Sequence, residues 1–189
     1  MNRWAPPAVT GLIAVLTCGC GQATPPPSPP VVPASPVAPS KAPEVTLPGQ
    51  PSPSAKMVCE SEAEGNITGL LGIPPDGIDP PTWVDSTYTC RYRYGGGSFT
   101  LSVKELPDRP ATDRYYQDLG VRMGKAGTLS ELGEGGFMTS NNSVVTRKDD
   151  KVLLVEASKL PPTLGRWSLG PGAVTRTVAT AIISCWTGD

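Results

Sequence analysis

The sequence predicts an α+β domain in which an antiparallel sheet of about five strands packs with three helices. Segments with helical spacing of apolar residues come before, between and after alternating segments joined by short turns. The first 56 of the 189 residues are rich in proline and almost lack aromatic side chains, whereas ordinary charge and aromatic content begin after Lys56. We therefore expect one folded domain, residues 57–189, after an N-terminal segment without a core.

The predicted domain begins with a helix. The apolar residues Cys59, Ala63, Ile67, Leu70 and Leu71 recur at spacings of four, four, three and one, which predicts one helical face. Gly72 and the prolines that follow it end this helix, so its expected extent is 59–71.

A hairpin comes next. Between residues 84 and 94, Tyr92 and Tyr94 alternate with Arg91 and Arg93, as in a strand with one buried face. The sequence GGGS then leads into FTLSVKEL, which alternates in the same way. We expect these two segments to pair as an antiparallel hairpin.

The rest of the domain predicts a second helix, short strands and a closing helix. The second helix lies in ATDRYYQDLGVRMG, with Thr112 or Asp113 as its expected cap. Short strands follow, and Asp149 and Asp150 form a hairpin tip, because Asp tolerates the backbone angles of such turns. Apolar spacing over 173–186 predicts the last helix.

The chain contains no histidine, which limits the chemistry it can perform. Serine-histidine and cysteine-histidine catalysis and histidine-ligated zinc are excluded, and no metal, cofactor or catalytic group is predicted. With 16 basic and 17 acidic residues, the chain also lacks the charge excess of nucleic-acid-binding proteins. A histidine-free hydrolase that uses two carboxylates in one cleft is the alternative enzymatic interpretation.

The N-terminus has the layout of an export signal. Arg3 precedes about ten apolar residues, too few to span a bilayer, and two cysteines follow. This arrangement resembles the lipobox of bacterial lipoproteins. It predicts a lipoprotein signal peptide over 1–19 and lipidation of Cys20, which follows a small residue; Cys18 is the alternative.

Residues 20–56 are expected to form a disordered stalk behind the lipid anchor. The segment holds about half of the chain's 23 prolines and few charges. It cannot bury enough apolar area to offset the entropy of ordering, and proline favours extended polyproline II.

Three cysteines remain in the domain, which allows one disulfide and one free thiol in an exported protein. The favoured pair is Cys59 with Cys90, because it fastens the first helix to the first strand. Cys59 with Cys185, which would join the two terminal helices, is the alternative.

The lipobox-like cysteine, the stalk, the strand TYTCRYRY, the segment VVTRKDDKVLLVEASKLP and the ending IISCWTG together resemble uncharacterised actinomycete lipoproteins of the Streptomyces type. Those lipoproteins are similar in organisation to mycobacterial lipoprotein domains with a PsbP-like fold, a sheet between helices. The resemblance implies a binding or assembly-assisting role and supplies no active-site residues.

Anchor, stalk and domain together predict a lipoprotein on the outer face of a bacterial cell membrane. Its domain is expected to bind an envelope protein or a small molecule without catalysis. A surface spacer with no ligand is a further alternative.

Overall fold

The sheet of this domain is assembled entirely from antiparallel strand pairs. The structure is a computed structural model that describes residues 49–186. Within these residues the helices are α1 (Pro53–Met57), α2 (Ser61–Leu71), α3 (Arg109–Met123) and α4 (Pro171–Cys185). The strands are β1 (Gly77–Ile78), β2 (Thr82–Val84), β3 (Thr87–Tyr94), β4 (Gly97–Glu105), β5 (Lys125–Leu129), β6 (Gly136–Thr139), β7 (Val144–Lys148) and β8 (Lys151–Lys159).

The order of strands across the sheet is β1-β3-β4-β8-β7-β6-β5, and β2 also pairs with β3. The long strands β4 and β8 lie side by side in the middle, with Leu101 opposite Val155 and Glu105 opposite Lys151. Their pairing joins the N-terminal hairpin to the C-terminal strands. The predicted α+β class with an antiparallel sheet is therefore confirmed.

The hairpin predicted from alternation is β3–β4. Tyr92 and Tyr94 are buried, whereas Arg91 and Arg93 are exposed. The turn is Gly95-Gly96, and Tyr94 lies opposite Gly97. Glycine is required at position 97, because a Cβ atom there would overlap the carbonyl oxygen of Lys159 on β8.

Helices cover both faces of the sheet. Neighbouring residues of β8 show this: Leu153 packs in the cluster that contains residues of α1, α2 and α4, and Val152 packs in the cluster with Leu119 of α3. Val144 and Val145 of β7 divide in the same way. The domain thus has three layers, with α3 as the one described helix on its side of the sheet.

The predicted numbers of strands and helices are too low. The described residues contain eight strands instead of about five, and four helices instead of three. β1 and β2 have two and three residues, and α1 has five residues among prolines. Elements this short complete too little of an apolar period to be recognised in a sequence.

Two boundaries also differ from prediction. The extended run expected from residue 84 is broken by a tight turn at Asp85 and Ser86, whose φ angles are 47° and 50°. β2 ends before this turn and β3 begins after it. Helix α3 begins earlier than predicted, because Asp108, instead of Thr112 or Asp113, accepts a hydrogen bond from the N–H of Ala111.

The segment that enters the domain is packed against it, although the stalk is predicted to extend to residue 56. Ala55 is fully buried. The indole N–H of Trp83 donates to the Gly49 carbonyl at 2.9 Å, and that of Trp186 donates to the Ser54 carbonyl at 2.7 Å. Residues 49–58 therefore belong to the folded part.

Tyr92 and Tyr94 are both buried, but their hydroxyl groups differ in hydrogen bonding. The Tyr92 hydroxyl donates to the Val58 carbonyl at 2.8 Å, whereas the buried Tyr94 hydroxyl has no hydrogen-bond partner within residues 49–186. Burial raises the pKa of both phenols. Both rings stack against Phe99.

We predict different effects of the two Tyr→Phe substitutions. Tyr92→Phe leaves the Val58 carbonyl without its donor and should lower the free energy of unfolding by about 1–3 kcal/mol. Tyr94→Phe removes an unsatisfied hydroxyl and should be neutral or stabilising. Urea denaturation of both variants checks this, and equal losses in the two would contradict the assignment of the hydrogen bond.

Candidate functional site

An open cleft lies at the end of the sheet where β4 ends and β8 begins. Its volume is about 720 Å³. The turn between β2 and β3, the turn between β7 and β8, the start of α1 and the segment leading to α3 surround it. The lining residues are Ser52, Ser86, Glu105, Leu106, Pro107, Arg109, Asp149, Asp150 and Lys151.

Lys151 in the cleft wall is the one buried charged residue among residues 49–186. It is 6% exposed, and its Nζ lies 2.9 Å from Oδ1 of Asp150. Removing an ammonium group from water is costly, even when a carboxylate compensates it. The position of Lys151 is therefore not explained by packing alone.

Glu105 fixes the start of α1 at the edge of the cleft. Its Oε1 accepts a hydrogen bond of 2.8 Å from the backbone N–H of Ser52. The next residue, Leu106, donates its N–H to the carbonyl of Asp150 at 3.0 Å. These contacts join α1, β4 and the β7–β8 turn around one opening.

Asp149 supplies a carboxylate that is accessible to a ligand. It is the exposed tip of the β7–β8 turn, with a φ angle of 55°, so the predicted hairpin tip is confirmed. Within the described residues no ion pair or side-chain hydrogen bond involves its carboxylate. A ligand in the cleft could reach this carboxylate without breaking a contact of the domain.

Arg109 at the cleft rim is already engaged by acidic groups on the α3 side. Its guanidinium forms ion pairs with Asp113, at 3.1 Å, and with Glu134. Asp113 also forms an ion pair with Arg147. The guanidinium carbon of Arg147 lies 5.2 Å from the ring centre of Tyr116. Burial, and then the nearby Arg109, lower the pKa of Arg147.

The cleft therefore combines fixed polar groups with a small apolar wall, formed by Leu106 and Pro107. Such a surface can bind a polar molecule or a peptide segment. In residues 49–186 we find no cluster of three or more acidic or cysteine side chains suited to a metal ion. No helix in this range is both long and apolar enough to cross a membrane.

The sequence does not reveal this cleft. Asp149 and Asp150 are recognisable as a turn, but nothing in their spacing indicates that Glu105 and Lys151 lie beside them. That proximity arises from the pairing of β4 with β8, in which these two residues are separated by more than forty positions.

The predicted cysteine sites are placed as follows. A disulfide joins Cys59 to Cys90, with 5.9 Å between the Cα atoms, which is the favoured predicted pairing. Cys185 is free, so the alternative pairing with Cys59 is absent, and its sulfur accepts a 3.3 Å hydrogen bond from the Asn66 amide. Cys18 and Cys20 lie outside the described residues.

We predict that the disulfide stabilises the domain substantially. Replacing Cys59 and Cys90 together with alanine should lower the free energy of unfolding by about 3–4 kcal/mol, because the bond closes a loop of about 30 residues. Cys185→Ala is the matched control and should cost less than about 1 kcal/mol, since one weak surface contact is lost. Urea denaturation without reductant measures both, and a larger loss from Cys185→Ala would contradict the pairing.

Comparison with known proteins yields no relative. No protein-family model, no curated protein and no solved structure matches this chain. The resemblance to actinomycete lipoproteins and to PsbP-like proteins accordingly stays an expectation from the sequence.

Proposed function

We propose that this protein is a lipoprotein of the bacterial cell envelope whose domain binds a polar ligand in the cleft described above. The N-terminal sequence supports the attachment: an export signal over 1–19, Cys20 as the lipidated residue and a proline-rich stalk after it. Two acyl chains on one cysteine provide the stable membrane attachment that a single chain does not. The domain would then lie on the outer face of the membrane.

The burial of Lys151 is the observation that carries the binding role. A buried charge stabilises a fold little, if at all, compared with an apolar residue of similar volume. Perturbed or costly charges are more common at functional sites than elsewhere. Lys151 lies beside Asp150 at the wall of the cleft, so its charge helps to hold that carboxylate there.

The ligand we expect is a polar envelope component, either a small molecule or a segment of another envelope protein. Binding would need no cofactor and no nucleic acid. Exposed Asp149 and the ion-paired Asp150 supply hydrogen-bond acceptors, and Leu106 and Pro107 supply apolar contact.

Binding accounts for these groups better than hydrolysis does. A carboxylate-based glycoside hydrolase needs one neutral carboxylic acid that donates a proton to the leaving group. In the cleft, Glu105 accepts from a backbone N–H and Asp150 contacts an ammonium group, and both partners are donors. Glu105 and Asp150 are therefore arranged as acceptors.

We predict that lipid attachment depends on Cys20. In cells supplied with labelled palmitate, Cys20→Ala should abolish incorporation of label into the protein, whereas Cys18→Ala should retain it. Loss of label in Cys18→Ala alone would move the attachment to that residue, and full label in both single variants would contradict lipidation of either one alone.

We predict that ligand recovery depends on Asp149. Affinity capture from solubilised envelopes should recover a component with the wild type that Asp149→Asn fails to retain, with a loss of about tenfold for one charged contact. Asparagine tolerates the positive φ angle at this turn, so the fold is kept.

Asp118→Asn, on the exposed side of α3, is the matched control and should recover the same component as the wild type. Equal recovery by all three proteins would exclude the cleft as the site. If none of them captured anything, the interpretation as a surface spacer would be favoured.

A further inference from the structure

A rigid loop between β8 and α4 presents the most exposed tryptophan of residues 49–186. We call residues 164–169 the Trp167 loop. Leu164 and Leu169 exchange two backbone hydrogen bonds of 2.8 and 2.9 Å, which close the loop at its base. Leu164 is buried and Leu169 packs against the main core, so the loop is anchored in the domain.

A second contact fixes the tip of the Trp167 loop against α2. The N–H of Arg166 donates to the carbonyl of Leu71 at 2.8 Å. Gly165 has a φ angle of 80° and lies so close to Leu71 that a Cβ atom there would approach its carbonyl oxygen to 2.5 Å. Ser168, with a φ angle of 51°, completes the tight path. Backbone hydrogen bonds and close backbone contacts therefore fix the conformation of the Trp167 loop.

This fixed conformation leaves apolar groups in solvent. Trp167 is 64% exposed, and Leu70, adjacent to the contacted Leu71, is 45% exposed. The guanidinium of Arg166 lies 5.4 Å from the indole ring centre, so a cation and an aromatic ring are presented together. A rigid tryptophan loses little conformational entropy on binding, which makes it an effective anchor.

The chain segment that carries the Trp167 loop is basic, which favours contact with a negatively charged surface. Residues 157–186 contain Lys159, Arg166 and Arg176 but no Asp or Glu. The acidic residues of α2, Glu62 and Glu64, lie in its first turn, whereas the loop contacts Leu71 in its last turn, about 10–14 Å further along the axis. The basic loop is thus separated from the acidic part of α2.

We propose that the Trp167 loop contacts the anionic lipid headgroups of the membrane to which the chain is tethered. Tryptophan is favoured at the membrane interface, and arginine is attracted to anionic lipids. A linker of about 30 residues reaches at most roughly 90 Å, so attachment at Cys20 would keep the loop at high local concentration near the bilayer. This proposal rests on the lipid attachment proposed above.

The test uses a chain that lacks the lipid, so that binding by the domain itself is measured. The mature chain from position 20, with Cys20→Ser, is mixed with vesicles of phosphatidylglycerol and phosphatidylcholine in equal parts and sedimented. We expect binding that Trp167→Ala weakens about tenfold and Arg166→Gln about fivefold. Added salt should weaken it further. Pure phosphatidylcholine vesicles should retain little protein.

Val121→Ala is the matched control, because Val121 is 85% exposed on α3, on the other side of the sheet. It should bind like the parent chain. Equal binding by Trp167→Ala, or absence of binding to the anionic vesicles, would overturn the proposal. Trp167-dependent sedimentation with isolated cell-wall glycan instead of vesicles would also overturn it and assign the loop to that polymer. None of these results affects palmitate labelling of the native chain, which tests the attachment separately.

Discussion

The pairing of β4 with β8 is the interaction on which the rest of this domain depends. It places Leu101 and Val103 beside Val155 and Leu153 and so forms the centre of the larger core. It also joins two antiparallel units that are each closed by local turns. Because the partners are far apart in sequence, their contact requires the closure of a long loop. The helices on both faces have a continuous surface to cover only once this pair has formed.

The register of the same strand pair also forms the cleft. Glu105 ends β4 and Lys151 begins β8, and the register places them opposite each other. A shift of β8 by one residue would turn all of its side chains to the other face. The charge at Lys151 and the hydrophobic centre of the sheet are therefore specified by one set of backbone hydrogen bonds.

How much could be predicted from the sequence depends on the length of the periodic signal. The alternation of Arg91, Tyr92 and Arg93 in a long strand predicts the burial that is observed, and the last helix is predicted to within two residues of its start. Helix α1 and strands β1 and β2 were missed, because tertiary contacts rather than local pattern stabilise them. The cleft was missed for a related reason, since its groups meet only through long-range pairing.

The way the chain enters the domain has a mechanical consequence. If the chain is tethered to a membrane as proposed, a pull on it enters the described residues at Gly49, and between Gly49 and Cys59 noncovalent contacts resist it, among them the hydrogen bond from the Ser52 N–H to Glu105. Beyond Cys59 the disulfide passes the load directly to β3 in the sheet. Extension would therefore stop after about ten residues, or about 35 Å. Because Ser52 lines the cleft, tension would open one of its walls while the sheet stays folded.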